Sequence, residues 1–220
     1  MIHFGVKVNG GKNGLRLTRE NYAVVSKKNS LNIKLSIDIY DDVNGEYTDA
    51  WCKKQLADCL ENFDLNMKYF SLLDKDKFHG EINTFLHRNR GFSEVTDLNE
   101  YSEKSGYYMM ILDEYCQLYV GTTKDIKLRI QQHWRAKKPF DRLLFPMGSV
   151  DTSLLSIDSF KALDTTRIYA YVTPTTYNNE DDYIQQFSNE FICNRMAGGR
   201  ITGGLLQAIG MRKSRTLISK

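Results

Sequence analysis

The stretch from Gly106 to Gly121 constrains this chain more than any other. Residues 107–112 form a continuous apolar run of strand length, Asp113 and Glu114 supply a turn, and residues 116–120 form a second run that ends at Gly121. Their backbone groups are best satisfied by pairing across the turn, so a β-hairpin is expected. Thr122, Thr123, Lys124 and Asp125 then lead into a helix over residues 126–134, where Ile126 and Ile130 repeat at helical spacing and Asp125 is suited to the N-cap. Arg129 and His133 stand four apart and project from one helix face.

Farther along, residues 166–172 read as a third strand closed by Pro174, and residues 180–191 as a second helix. Strand, strand, helix, a middle segment, strand and helix make a small α+β domain, a short central sheet flanked by helices. Phe140, Leu143, Leu144 and Phe145 of the middle segment are expected to pack beneath the first helix. At 220 residues the chain has room for a second module, and residues 1–100 read as a separate α+β N-terminal one of unknown role, with extra DNA contacts or substrate selection as the candidate tasks. It opens with a turn-forming run, Asn9-Gly10-Gly11-Lys12-Asn13-Gly14. Leu31, Ile33, Leu35, Ile37 and Ile39 alternate with polar residues, the period of a strand with one buried face. Helices are expected over residues 49–63, behind the cap pair Thr48 and Asp49, and again after Gly80 as far as Arg90. The polar stretch 97–105 marks the boundary, giving an N-terminal module over 1–100, a second domain over 103–198 and a basic tail over 199–220.

Composition removes several classes of function. No apolar run approaches the roughly 18 to 20 residues that span a bilayer. The opening residues Met1-Ile2-His3-Phe4-Gly5 lack the basic-then-apolar pattern of a secretory signal. A cytoplasmic, intracellular protein with no membrane partner is therefore expected. Cys52, Cys59, Cys116 and Cys193 show neither CxxC spacing nor histidines at zinc-finger distance, which argues for reduced packing residues. The net charge of +3 is small but unevenly placed. One basic cluster holds Lys127, Arg129, Arg135, Lys137, Lys138 and Arg142; a second follows the last acidic residue, Glu190, and includes Arg195, Arg200 and Arg212. Such runs alone are ordinary solvated faces, but beside a phosphate-handling site they become candidate DNA contacts.

Gly106-Tyr107-Tyr108, ten residues, then Tyr119-Val120-Gly121 resembles the hallmark of the GIY-YIG nucleases. The resemblance takes in Lys124, three residues past the second glycine, Arg129, eight past it on the following helix, and His133 one turn later. It runs from Gly106 to Asn194 and leaves residues 1–100 outside it. It also implies a carboxylate at the head of the last helix as metal ligand. Glu180 fits that register, with Tyr183 and Ile184 at the apolar positions, Phe187 at the aromatic one and Asn194 as the asparagine. Counting back from Asn194 selects Asp182 instead, and Asp181 lies between the two. The resemblance thus implies a GIY-YIG-type fold and a metal-dependent DNA endonuclease using Mg2+, or another divalent cation such as Mn2+. Tyr108, Tyr119, Arg129, His133 and Lys124 would be its catalytic residues, Glu180 its metal ligand, and Gly106, Gly121 and Asn194 its structural motif.

These residue types suit phosphodiester hydrolysis. In-line attack by water builds negative charge on the phosphoryl oxygens, so preorganised positive charge is the main requirement. Arg129 offers parallel N–H donors for a phosphate, and a cation on a single carboxylate would act as a Lewis acid at the departing oxygen. Either Tyr108 or Tyr119 would prepare the water, which requires nearby positive charge because a phenol ordinarily titrates near pH 10. His133 would orient that tyrosine or receive its proton. Tyr107 reads as core, Gly121 equally as a turn residue, and a lone histidine on a helix ordinarily lies at the surface. Lys127, Arg135, Lys137, Lys138, Arg142 and Arg200 are the expected DNA contacts. Two readings compete with cleavage of DNA: a non-catalytic nucleic-acid-binding module on the same fold, and an RNA-cleaving nuclease. One centre per subunit would cut one strand, so double-strand cleavage calls for a homodimer or a second visit.

Overall fold

The apolar run after Gly106 becomes an interior strand of a four-stranded sheet, and the rest of the chain wraps around it. The computed structural model describes residues 1–11, 14–31, 36–174 and 179–194. A hairpin of β1 (Ile2–His3) and β2 (Val6–Lys7) is followed by a short helix, α1 (Arg19–Tyr22), and a second hairpin of β3 (Tyr40–Asp41) and β4 (Glu46–Tyr47). Two long helices come next, α2 (Asp49–Ser71) and α3 (Lys75–Arg88). The remaining elements are β5 (Ser93–Glu94), β6 (Gly106–Leu112), β7 (Gln117–Thr123), α4 (Ile126–Arg135), β8 (Arg167–Val172) and α5 (Glu180–Ile184). The protein is mixed α+β with small sheets, and no described helix is long and apolar enough to cross a membrane.

The main sheet has the order β5-β8-β6-β7 and is antiparallel throughout. All seven residues of β6 are buried. His133 of α4 lies against one face at Tyr108, and Tyr183 of α5 lies against the other at Tyr107. Cover on both faces is why the sequence here is a continuous apolar run rather than an alternation. The helix after the hairpin starts as its sequence predicts, with the Asp125 carboxylate accepting from the Leu128 N–H at 2.8 Å.

Four expected elements come out differently. The helix expected after Gly80 begins at Lys75, capped by Asp74, and holds Gly80 in its interior. α2 continues past residue 63 to Ser71, because its inward face carries on through Asn66, Tyr69 and Phe70. Asn66 hides that continuation from an apolar pattern, since it is a buried amide donating to the Ser153 carbonyl at 3.0 Å. The last helix stops at Ile184 rather than near 191. Glu81 of α3 accepts both the N–H and the hydroxyl of Ser188, at 2.8 and 2.5 Å, and draws the chain off the helical path. Of the strand expected over 31–39, residues 32–35 lie outside the described residues, and the following part is a turn in which the Ile39 N–H donates to Ser36 O at 3.1 Å. Ile37 is 77% exposed there. Alternation makes a strand only where a partner and a core receive it.

Residues on both sides of position 100 share one hydrophobic cluster. β5 pairs with β8, and Phe85 of α3 packs on Phe187 with ring centroids 4.7 Å apart. Trp51 of α2 meets the buried Phe140 edge-on at 6.0 Å, and Leu143 and Leu144 are buried nearby. Polar contacts reinforce the junction: the Tyr47 hydroxyl donates to Asp141 at 2.8 Å, and the Asn62 amide donates to the carbonyls of Val150 and Ser153. Removing one member of such buried pairs strands the other, which costs about 1–3 kcal/mol.

Candidate active site

Side chains alternate along a strand, so the register decides which motif residues meet. Tyr108 lies opposite Gly121 and Met110 opposite Tyr119, which puts Tyr108, Gly121 and Tyr119 on one face of the β6–β7 pair. A Cβ at Gly121 would fall 2.5 Å from the Tyr108 hydroxyl oxygen; glycine is there because the phenol occupies the space. Gly106 has φ of +154°, and a Cβ there would fall 2.1 Å from the Tyr171 carbonyl oxygen of β8. Tyr107 points to the other face and is buried against Tyr171 and Tyr183.

α4 supplies the next residues. His133 is buried at 2% exposure, not at the surface where an isolated helical histidine is expected. Its Nε2 is 2.8 Å from the Tyr108 hydroxyl, and its Nδ1 is 2.6 Å from Oδ1 of Asp158. Lys138 completes the row, its Nζ 3.3 Å from Oδ2 of Asp158. Burial drives the His133 pKa below its ordinary value, even though Asp158 pulls it up, so the ring is neutral near pH 7. A neutral ring beside a carboxylate keeps its proton on Nδ1 and donates it there, leaving Nε2 to accept from Tyr108. Burial works against the charge of Asp158, yet His133 and Lys138 outweigh it and hold the carboxylate at about 2. The result is a directed row from phenol to imidazole to carboxylate to ammonium.

Tyr119 lies beside this row, its ring 5.0 Å from that of His133 and 6.1 Å from that of Tyr108. Burial, then the charge of Glu180, push its phenol up to about 12; Arg129 opposes them. Tyr108 is raised further by burial and by Tyr119, again with Arg129 opposing. Arg129, one turn before His133, is exposed at the mouth of the group and has Gln132 as a weak neighbour at 3.4 Å. It is the cation that both phenols feel.

The carboxylate comes from the edge of the sheet. β7 is an edge strand, and its outward backbone groups are met by the chain that follows α5. The Leu118 N–H donates to Phe191 O at 2.7 Å, and the Cys193 N–H donates to Leu118 O at 2.9 Å. Two residues along, the Asn194 side chain imitates a strand, accepting from the Val120 N–H at 3.1 Å and donating to its carbonyl at 2.7 Å. Two residues farther still, the Thr122 N–H bonds to Glu180. Asn194 and Glu180 are thus successive clamps on one edge. Burial and the neighbouring Asp181 push Glu180 up to about 7. Asp182 is exposed, whereas Oδ1 of Asp181 is buried without a hydrogen-bond partner among the described residues.

A divalent cation fits this corner. A carboxylate that burial and a like charge hold partly protonated, beside an orphaned carboxylate oxygen, is relieved by positive charge. Among the described residues no group of three or more His, Cys, Asp or Glu residues could hold a metal ion.

The other expected residues are less central. Lys124 is exposed just before α4 and makes no hydrogen bond or ion pair among the described residues. Arg135 and Lys137 are exposed and Lys127 is half-buried. Lys138 serves Asp158, and Arg142 is tied to Ser30, donating to its carbonyl at 2.6 Å and its hydroxyl at 3.0 Å. Arg200 and the basic tail lie outside the described residues. The sequence does not single out Asp158: it sits in the aperiodic middle segment, 25 residues from the histidine it contacts, outside any motif. No protein-family model, curated protein or solved structure matches the chain.

Proposed function

We propose that this protein is a metal-dependent endonuclease with a GIY-YIG-type fold that hydrolyses phosphodiester bonds in DNA. The observation that carries the reading is the meeting of Tyr108, Tyr119, Arg129 and His133 on one face of β6–β7 with Glu180 on the adjoining edge. A chance pair of strand tyrosines would have no reason to share an arginine, a neutral histidine and a carboxylate.

In this reading Arg129, exposed at the mouth, grips the scissile phosphate and stabilises the charge that builds on its oxygens. Tyr119, a neutral phenol at ordinary pH, donates a hydrogen bond to a phosphoryl oxygen. The attacking water gives its proton to the Tyr108 oxygen as Tyr108 passes its own proton to Nε2 of His133, and Asp158 stabilises the imidazolium that results. Glu180 and Asp181 would hold Mg2+, which when bound supplies Lewis acidity at the departing 3′ oxygen. Glu180 must be ionised for this, so cleavage rises with pH through the region near 7 at low magnesium, and the rise moves to lower pH as magnesium is added. Lys137 extends the grip along the DNA backbone, and cutting both strands takes a second subunit or a second visit.

The test is incubation with supercoiled plasmid and magnesium, with and without chelator, alongside an RNA substrate of the same sequence. Nicking that needs the metal and falls by about 10²–10³ in Arg129→Ala is the expected result. Binding without cutting would replace the reading with a non-catalytic nucleic-acid module; cutting of RNA alone would reassign the substrate.

A further inference from the structure

On the far side of α4 from His133 lies a cavity that the cleavage reading does not use. At 3.6 residues per turn, Gln131 and Arg135 sit roughly half a turn around the helix from His133, and together with Trp134 they line a space of about 270 Å³. A water molecule's share of liquid is about 30 Å³, so this is room for a small organic ligand rather than one or two waters. Val8, Leu15 and the Trp134 ring make an apolar wall.

The opposite wall is cationic and glycine-rich. Lys161 is 7% exposed and lines the cavity, and its Nζ donates to the Ala136 carbonyl at 3.2 Å. An ammonium carries three donors, so one acceptor leaves it short. The nearby carboxylates are already engaged: Asp164 accepts from the backbone N–H groups of Leu17 and Lys161 and from the Tyr115 hydroxyl, while Asp158 is bound to His133 and Lys138. Arg135 is exposed at the rim and pairs with no acid among the described residues, and Lys137 adds to the local positive charge. A buried charge without a bonded counter-ion is costly, and proteins retain one mainly where something else supplies the partner. Gly10, Gly11 and Gly14 form the lip, with φ of +49° at Gly11 and +69° at Gly14. A Cβ on Gly10 would fall 2.5 Å from the Gly14 backbone, so the lip exists only because these positions lack side chains.

We propose that this cavity binds a phosphate monoester of mononucleotide size, its phosphate on Lys161 and Arg135 and its flat body along Trp134. The phosphate supplies the missing acceptors of Lys161, and the apolar wall takes a base-like ring. The same chemistry is offered by a free nucleotide and by the phosphorylated end of a DNA strand.

The experiment is calorimetric titration of the full chain in phosphate-free buffer with deoxyadenosine 5′-monophosphate, deoxyadenosine and inorganic phosphate. Saturable one-to-one binding of the monophosphate, tighter than either fragment and weakened about tenfold or more in Lys161→Met and Arg135→Ala, is expected. Lys161→Met disturbs a buried position, so Arg135→Ala, on the exposed side of α4, carries the test if the first variant fails to fold. No saturable binding, or unchanged affinity in Arg135→Ala, overturns the proposal. A 5′-phosphorylated oligonucleotide that competes better than the mononucleotide assigns the site to strand ends; the reverse order assigns it to free nucleotide. Repeating the titration with Arg129→Ala separates this site from cleavage: retained binding supports it, and lost binding would place the ligand at the Tyr108 face instead and overturn it.

Discussion

Asp158 and Asp164 lie in consecutive single turns of 3-10 helix in the same middle segment, yet the fold uses them in opposite ways. Asp158 meets a histidine and a lysine and stays ionised down to about 2. Asp164 is fully buried and meets only neutral donors, the N–H groups of Leu17 and Lys161 and the Tyr115 hydroxyl; burial outweighs them and raises its pKa above the ordinary carboxylate range. One carboxylate orients a histidine at the candidate active site. The other fastens the N-terminal segment and the β6–β7 turn to the middle of the chain. Burial alone does not decide what an acid does; the charge of its partners does.

That contrast can be broken most directly at Asp158. Asp158→Asn should lower DNA cleavage by the folded protein on the order of 10³-fold, because an amide facing Nδ1 can favour the tautomer that no longer accepts from Tyr108. Single-turnover nicking rates that stay within a few-fold of the parent would remove the row from the mechanism. Asp164→Ala should do the reverse. It strands three buried donors and should cost on the order of 3 kcal/mol in urea denaturation, while the folded fraction cuts at the parent rate. The pH slopes should also oppose each other. Stability from Asp158, whose folded pKa is depressed, is complete above about 4 and is lost as pH falls toward 2. The contribution of Asp164, whose folded pKa is raised, is instead complete in acid and declines as pH rises from the ordinary carboxylate value toward the raised one.

Glu180 sharpens the comparison, since it is a half-buried acid whose pKa is raised by burial and by Asp181. Its folded pKa of about 7 lies above the unfolded one, so ionising it weakens the metal-free protein as pH rises from about 4.5 to 7. Glu180→Gln should therefore stabilise the chelated protein at pH 8, on the order of 2 kcal/mol, and change little at pH 4, while abolishing cleavage. A thermal melt in which the variant is no more stable at pH 8 would contradict the burial argument. The smallest effect is expected from Lys138→Ala. Loss of one half-exposed partner should raise the Asp158 pKa and slow cleavage only a few-fold, measurable as a shift in the acid-side melting profile.

The hairpin and α4 were legible because their signals are local: an apolar run, a turn, a capping aspartate and a four-residue spacing each act within a few residues. Tyr108, Tyr119, Arg129 and His133 meet as that spacing predicts. Asp158 was not legible, because nothing near it in sequence announces the histidine that it contacts. The last helix ends earlier than its sequence pattern predicts for a related reason: Ser188 is claimed by Glu81, 107 residues away. Leu31 to Ile39 carried the clearest alternation in the chain, and its described part turns, since alternation says which face is apolar but not what will cover it. The buried amides of α2 failed the opposite way, as polar letters inside a core.

The clamp that Asn194 places on Val120 also sets an order of events during synthesis. The β6–β7 hairpin leaves the ribosome with both phenols and, soon after, the arginine, but the outer edge of β7 and the carboxylate arrive only with residues 180–194. A nascent chain halted before that point would carry an open strand edge, a template for association with other chains.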